Sequence, residues 1–290
     1  MVHTIPFLKV SGAGNDFVLL DNMASELSLD WPSLARVVSP RRSGIGADGL
    51  LVLEPSERAS FRMLYFNADG SFGGMCGNGG RCAARYAVER GIAGTSLTFE
   101  ACGSLYQAEV MSSGVRLGMN DIAQISPPTE FRLDETRFTG WILDTGSPHV
   151  VIEANDLDEI QVDTIGRAIR HHELVSSHGG ANVNFVSTIA GKSLRIRTYE
   201  RGVEAETLAC GTGAVAAAAV AVSRQRVTAP VPVRVQSGED LHVSLQRKET
   251  GFTAVRLEGS AHFLFAGTFQ LSGGGKLLVD TPVEQVGPKG

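Results

Sequence analysis

One short segment occurs twice in this chain, and the repetition constrains the fold more than any other feature. Met75-Cys-Gly-Asn-Gly-Gly-Arg-Cys82 runs into Ala-Ala-Arg-Tyr-Ala-Val, and Ala209-Cys-Gly-Thr-Gly-Ala214 runs into Val-Ala-Ala-Ala-Ala-Val-Ala-Val. Each reads as a glycine turn that feeds a helix, because glycine permits the turn and alanine favours the helix. Cys76 and Cys210 then stand at helix N-termini, where unpaired N–H groups and the positive dipole end favour an anion and a thiolate. The second helix is apolar all round and is expected to be buried.

The repeat extends beyond the cysteines. Phe66-Asn-Ala-Asp-Gly70 precedes Cys76 as Tyr199-Glu-Arg-Gly202 precedes Cys210, with 133 residues from Asn67 to Glu200 and 134 between the cysteines. At the same offset Gly49, before Leu50-Leu-Val-Leu53, falls on Asn182, before Val183-Asn-Phe-Val186. Ser11-Gly-Ala-Gly-Asn-Asp-Phe17 falls on Asp144-Thr-Gly-Ser-Pro-His-Val150. Four matched segments imply a duplicated unit, two halves facing each other across one site.

Strand-like runs dominate both halves: 61–66, 96–101, 106–111, 115–119, 141–143, 150–153, 182–188, 194–199, 231–235, 241–245, 254–257 and 263–265. Helical patterns cover 33–38, 76–90, 164–171 and 210–224. The expected class is α+β, two pseudo-symmetric α/β halves, each a curled mixed sheet around a central cysteine-headed helix. The expected halves are residues 1–122 with 261–290, and 123–260, divided near Ile125-Ser-Pro-Pro128. The tail beyond Leu271 has few core residues and reads as a mobile extension.

With 290 residues, 43% hydrophobic and 20% charged, the chain has the composition of a soluble globular protein of about two domains. A net charge of −5 with no basic stripe argues against nucleic acid. No run reaches membrane-spanning length and the N-terminus reads as leaderless, so the expected compartment is the cytoplasm. Gly44-Ile-Gly-Ala-Asp-Gly49 matches a dinucleotide fingerprint by letter. A β-like run follows it where a helix is required, so a nucleotide site is rejected. Four cysteines without a C-x-x-C pair make neither a disulfide scaffold nor a zinc site. Cys82 and Cys102 read as small buried residues. His171, His172 and His178 read as solvated.

Two thiols at two facing helix ends suit one task. A thiolate on one face of a carbon removes its proton, and a thiol on the other face delivers one, so the centre inverts. For the α-carbon of an amino acid, charge building on the carboxylate would be met by backbone N–H groups of Gly77, Asn78, Gly211 and Thr212. None of the five lysines lies in either cysteine segment, which favours a route without pyridoxal phosphate. His149 or Glu200 could exchange a proton with a thiol or hold its charge state. Asn15, Asn67, Asn78 and Asn182 at matched segments suggest a polar pocket, with Arg201 beside it. A thiol redox protein and a non-catalytic amino-acid binder are the readings from other classes.

At these residues the chain resembles the diaminopimelate epimerase family, from Phe7 to about Leu271. The most specific segments are Gly12-Ala-Gly-Asn-Asp-Phe17, Phe66-Asn-Ala-Asp-Gly-Ser71, Cys76-Gly-Asn-Gly-Gly-Arg81, Gly146-Ser-Pro-His149, Tyr199-Glu-Arg-Gly202 and Ala209-Cys-Gly-Thr-Gly213. The resemblance implies interconversion of L,L- and meso-diaminopimelate in lysine and cell-wall synthesis, without metal or cofactor. It implies Cys76 and Cys210 as the acid/base pair, with His149 and Glu200 adjusting the thiols. It implies Asn15, Asn67, Asn182 and Arg201 as substrate contacts, with Gly77, Asn78, Gly211 and Thr212 holding the carboxylate. It also implies a homodimer with Phe265 at the interface. The chain departs from the family at Gly49, where a glutamine is common, and at Ser147, which replaces an asparagine. Other amino-acid racemases of the same fold are the alternative, although Asn78 stands where the proline type carries histidine.

Overall fold

The computed structural model describes residues 3–176, 179–271 and 277–278. In chain order the first elements are β1 His3–Gly12, β2 Asn15–Asp21, α1 Trp31–Val38, β3 Gly49–Glu54, β4 Arg62–Asn67, α2 Gly77–Glu89 and β5 Ser96–Ala101. Then come β6 Ser104–Met111, β7 Gly114–Gly118, β8 Thr129–Leu133, β9 Thr136–Asp144, β10 Pro148–Glu153, α3 Val162–Arg170 and α4 Glu173–Ser176. The remainder is β11 Asn182–Ile189, β12 Ser193–Glu200, β13 Ala205–Thr207, α5 Gly211–Ser223, β14 Val231–Arg234, β15 Asp240–Arg247, β16 Phe252–Gly259, β17 His262–Leu271 and β18 Leu277–Leu278.

The chain forms two compact units, Met1–Leu105 with Ala261–Gly290, and Tyr106–Ser260. The return falls at Ala261, but the forward crossing falls at Leu105, not near residue 122. The reason is pairing: β7 is hydrogen-bonded to β6 on one side and to β16 on the other, which commits it to the second unit.

In the first unit β17 pairs antiparallel with β1, β1 with β2 through a hairpin, and β3 with β4; β2–β3 and β4–β5 are parallel. α1 is the crossover between β2 and β3. Its Leu34, Ala35 and Val38 pack with Val18, Leu20, Leu50, Val52 and Phe66 on one face of the sheet. α2 lies against β1 to β4, and a Cβ on its Gly79 would meet Leu51 Cδ2 at 2.9 Å. Covered on both faces, β2 and β3 carry unbroken apolar runs instead of alternating ones.

The second unit repeats this plan. β10 and β11 are parallel, joined through α3, and β12 returns antiparallel to β11. α3 covers a cluster that includes Val150, Ile152, Val183, Phe185 and Tyr199. α5 lies against β9 to β12 and β14 to β16, and its residues 213–221 are all buried. Its alanines let the surrounding strands approach closely.

Among the described residues no helix is long and apolar enough to cross a membrane. Two expectations are corrected. Cys102 is exposed, not buried, because Cys102 and Gly103 form the β5–β6 turn with φ of 51° and 75°, the conformation of a tight hairpin. His172 is not simply solvated: its ring packs on Phe131 at 5.3 Å, and its Nδ1 accepts from the Leu174 N–H. His171 is exposed, with Nε2 3.8 Å from Glu204. His178 lies outside the described residues, as does the tail beyond Leu271 apart from 277–278, which pair with β17.

Candidate active site

The two cysteines occupy the same local structure. Cys76 is the N-cap of α2 at φ −107°, ψ 116°, and Cys210 is the N-cap of α5 at φ −116°, ψ 109°. Each sulfur accepts the N–H three residues on, Gly79 to Cys76 and Gly213 to Cys210, both at 3.4 Å. This is the bond an N-cap serine makes, with sulfur in place of oxygen. An N–H and a helix dipole aimed at the sulfur favour negative charge there. Cys210 is buried and Cys76 half-buried. Gly77 and Asn78, like Gly211 and Thr212, open the first helical turn after each sulfur.

In the first unit Asn15, at the tip of the β1–β2 hairpin, reaches Cys76. Its Nδ2 donates to Asp48 Oδ2 at 2.6 Å, which orients the amide. The Asn15 Oδ1 therefore faces the Cys76 thiol at 3.8 Å and the Asn78 Nδ2 at 3.4 Å. Behind it lies an ionic cluster. Asp16 accepts from Arg41 at 2.7 Å and lies 2.7 Å from the buried Lys9 ammonium, while Arg41 also binds Asp48 at 2.8 Å. Burial raises the Asp16 pKa, but the bonds and charges of Arg41 and Lys9 outweigh it and hold the carboxyl at about 2. The Gly12 backbone passes so close to α2 that a Cβ there would stand 2.8 Å from Asn78 O. Asn67 caps a turn, its Nδ2 donating to Ser71 Oγ at 2.9 Å. At Gly49 a Cβ would stand 2.6 Å from the Tyr65 ring and 2.4 Å from Phe66 O, so Tyr65 fills the space a longer side chain would need.

In the second unit β10 and β11 bring His149 and Asn182 together as parallel neighbours. Asn182 Oδ1 accepts the Arg201 N–H at 2.8 Å, and Asn182 Nδ2 donates to Ser147 Oγ and Pro148 O, both at 3.3 Å. Glu200 is the last residue of β12, directly before Arg201. His149 is completely buried, and its Nε2 lies 3.1 Å from Ser147 Oγ. Burial, with the nearby Arg201 charge, pushes its pKa down from 6.5 to about 3, so the ring is neutral at physiological pH. Of the two roles expected for His149, holding a charge state suits a neutral buried ring better than exchanging protons. Cys210 Sγ also lies 3.5 Å from the Thr212 hydroxyl.

Three groups in these clusters were not anticipated. Asp48 orients Asn15, and it lies in the Gly44–Gly49 run, which the sequence marks as a repeat segment and a rejected nucleotide motif but not as part of a site. Lys9 is a buried lysine in a strand, with no signal in a single sequence. Asn184 is a lone polar residue within the apolar run Val183–Val186, fully buried, with partners the sequence does not indicate. Phe265 lies on β17, 52% exposed, with its ring edge-on to Phe7 at 6.0 Å.

The diaminopimelate epimerase family model matches residues 7–122 and 141–263. The diaminopimelate epimerase of Chlorobaculum tepidum is 46% identical over 269 residues, which span 90% of this chain and 100% of the relative. That of Aquifex aeolicus is 38% identical over 90% of this chain and 96% of its own. Among solved structures, a hydroxyproline epimerase from Agrobacterium vitis with bound trans-4-hydroxy-L-proline aligns at a TM-score of 0.72 and 16% identity, covering 96% of both chains. A phenazine biosynthesis protein from Bacillus anthracis aligns at a TM-score of 0.71 and 15% identity, covering 92% of this chain and 99% of its own. Those two likenesses concern the fold.

Proposed function

The chain belongs to the diaminopimelate epimerase family, and from that premise we propose that it inverts one α-carbon of diaminopimelate between two thiols. It is an isomerase of lysine biosynthesis with diaminopimelate epimerase activity. The substrate pair is L,L- and meso-diaminopimelate. Cys76 and Cys210 are the acid/base residues: the thiolate of one removes the α-proton, and the thiol of the other supplies a proton to the opposite face. No oxidant or reductant enters, and the charge returns to sulfur. The observation that carries this reading is the matched pair of caps, each sulfur 3.4 Å from the N–H of the third residue on.

Backbone N–H groups of Gly77, Asn78, Gly211 and Thr212 receive the substrate carboxylate as its charge grows, at helix ends that favour an anion. Asn15, Asn67, Asn182 and Arg201 hold the polar ends of the substrate, and Arg201 supplies a charged bond to the distal carboxylate. His149, neutral, and Glu200 set the electrostatics around the thiols. Tyr65, which occupies the space above Gly49, substitutes for a longer side chain there. The assembly proposed is a homodimer through β17, supported by the exposed Leu264 and Phe265, each 52% exposed.

The test follows meso-diaminopimelate formed from the L,L isomer by chiral chromatography. Turnover is expected from the parent protein. Cys76→Ala and Cys210→Ala should each lose roughly 10²-fold or more, the scale of general acid–base catalysis. Cys82→Ala should keep most activity. Full turnover in either of the first two variants would defeat the assignment.

A further inference from the structure

Behind His149 lies a chain of buried polar groups to which the proposed reaction assigns no role. Asn184 sits on β11, paired with Thr198 on β12 and beside β10, which carries His149. Thr198 and Asn184 are both buried, at 3% and 0% exposure. The Asn184 amide can be oriented in only one way. Its Oδ1 accepts from the Thr198 hydroxyl at 3.0 Å, and its Nδ2 donates to Val150 O at 3.0 Å. Turned over, the amide would set its oxygen against the Val150 carbonyl, two acceptors without a proton between them. The second N–H of Nδ2 is therefore directed at His149 Nδ1, 3.0 Å away.

A donor at Nδ1 requires a lone pair there, and in a neutral imidazole the proton must then be on Nε2. From Nε2 it donates to Ser147 Oγ at 3.1 Å. Asn182 Nδ2 also faces Nε2, but at 3.5 Å, the longer of the two amide contacts to the ring. Its two N–H groups have nearer acceptors in Ser147 Oγ and Pro148 O at 3.3 Å, so the Asn184 contact at 3.0 Å decides the tautomer. Ser147 Oγ also accepts from Asn182 Nδ2 at 3.3 Å. Asn182 is itself oriented by the Arg201 N–H on its Oδ1. With two donors on its oxygen, the Ser147 hydroxyl has its own proton left to offer. The run of bonds thus ends in a hydrogen-bond donor at a half-buried side chain, available to an acceptor such as a carboxylate oxygen.

We propose that Asn184 is the positioning residue of this cluster: it locks His149 as the Nε2–H tautomer, so that the ring acts as a donor to Ser147 and not as a base. Asn184 also abuts α5. A Cβ on Gly213 would stand 2.3 Å from Asn184 Oδ1, so glycine is required where the amide meets the helix that Cys210 caps. One side chain thereby couples the tautomer of His149 to the first turn of that helix. The kinetic consequence rests on the epimerase reading; the tautomer does not.

The experiment is 15N NMR of protein labelled at histidine, with the His149 resonances identified by their loss in His149→Gln. The parent should show a neutral ring with the proton on Nε2. Asn184→Asp places an acceptor against Nδ1 and should move a proton onto it. In the same variant kcat should fall about tenfold or more, the scale of one buried hydrogen bond, with a smaller change in KM. A merely structural asparagine would lower the melting temperature and leave the tautomer where it was. A parent spectrum with Nδ1 protonated overturns the proposal, and so does an Asn184→Asp spectrum that matches the parent. Should Asn184→Asp fail to fold, the parent spectrum alone decides. Absence of turnover in a parent that shows the Nε2–H ring would count against the epimerase reading and support the lock.

Discussion

His149 shows how one residue's surroundings set its chemistry. The sequence leaves open whether it exchanges protons or holds a charge state; in the fold it is the first core position of β10, walled by Asn182 and Asn184. Its folded-state pKa is about 3, against 6.5 for the exposed side chain. Unfolded chains take up a proton near pH 6.5, whereas the folded ring refuses it until about pH 3. Stability from this residue is therefore complete above pH 6.5 and falls as pH drops from 6.5 toward 3. Urea midpoints measured across that range should fall more steeply for the parent than for His149→Gln, by about one proton. Parallel curves would show that the ring is not held neutral. The places of Cys76 and Cys210 at helix N-termini were legible in the sequence because glycines crowd the positions after them. Asn184 was not, because a lone asparagine in an apolar run gives no hint of its partners. Cys102 was misread, since a strand-like run does not reveal that the next two residues form the turn.

Among the elements, α1, α2, α3, α5 and most strands were legible from period and punctuation, whereas the single turn α4 was not. β2 was not, because burial on both faces removes the alternation that marks a strand. β1 carries Pro6, which argues against a strand although it pairs along its length with β17. The loop between α1 and β3 is the element whose role only the structure reveals. It carries Arg41 and Asp48 and grips the β1–β2 hairpin through Asp16 and Asn15. Asp48→Ala should release the Asn15 amide from the orientation that faces Cys76. We expect kcat/KM to fall roughly tenfold, while stability changes by about 1 kcal/mol or less, since these charges are partly exposed. Equal kinetics in variant and parent would remove Asn15 orientation from the account.

At the scale of the whole molecule, the duplication was legible because equivalent segments recur at one offset. The structure repeats a parallel pair joined through a helix, followed by an antiparallel strand, in both units. The unit boundary was displaced because the Pro-Pro segment looked like a linker, whereas strand pairing decides where the chain crosses. The proposed dimer makes its own prediction: Phe265→Asp should sediment as a monomer at concentrations where the parent is a dimer. A parent that sediments as a monomer would refute it. The proposed mechanism has two thiols exchanging protons with opposite faces of one carbon. Its most direct measurement is turnover of L,L-diaminopimelate in D2O, stopped early, with deuterium located at Cα in product and in recovered substrate. Deuterium is expected at the inverted centre of the meso product and almost none in the remaining L,L isomer. Product that retains the original hydrogen, or early deuterium shared equally by both isomers, would contradict it.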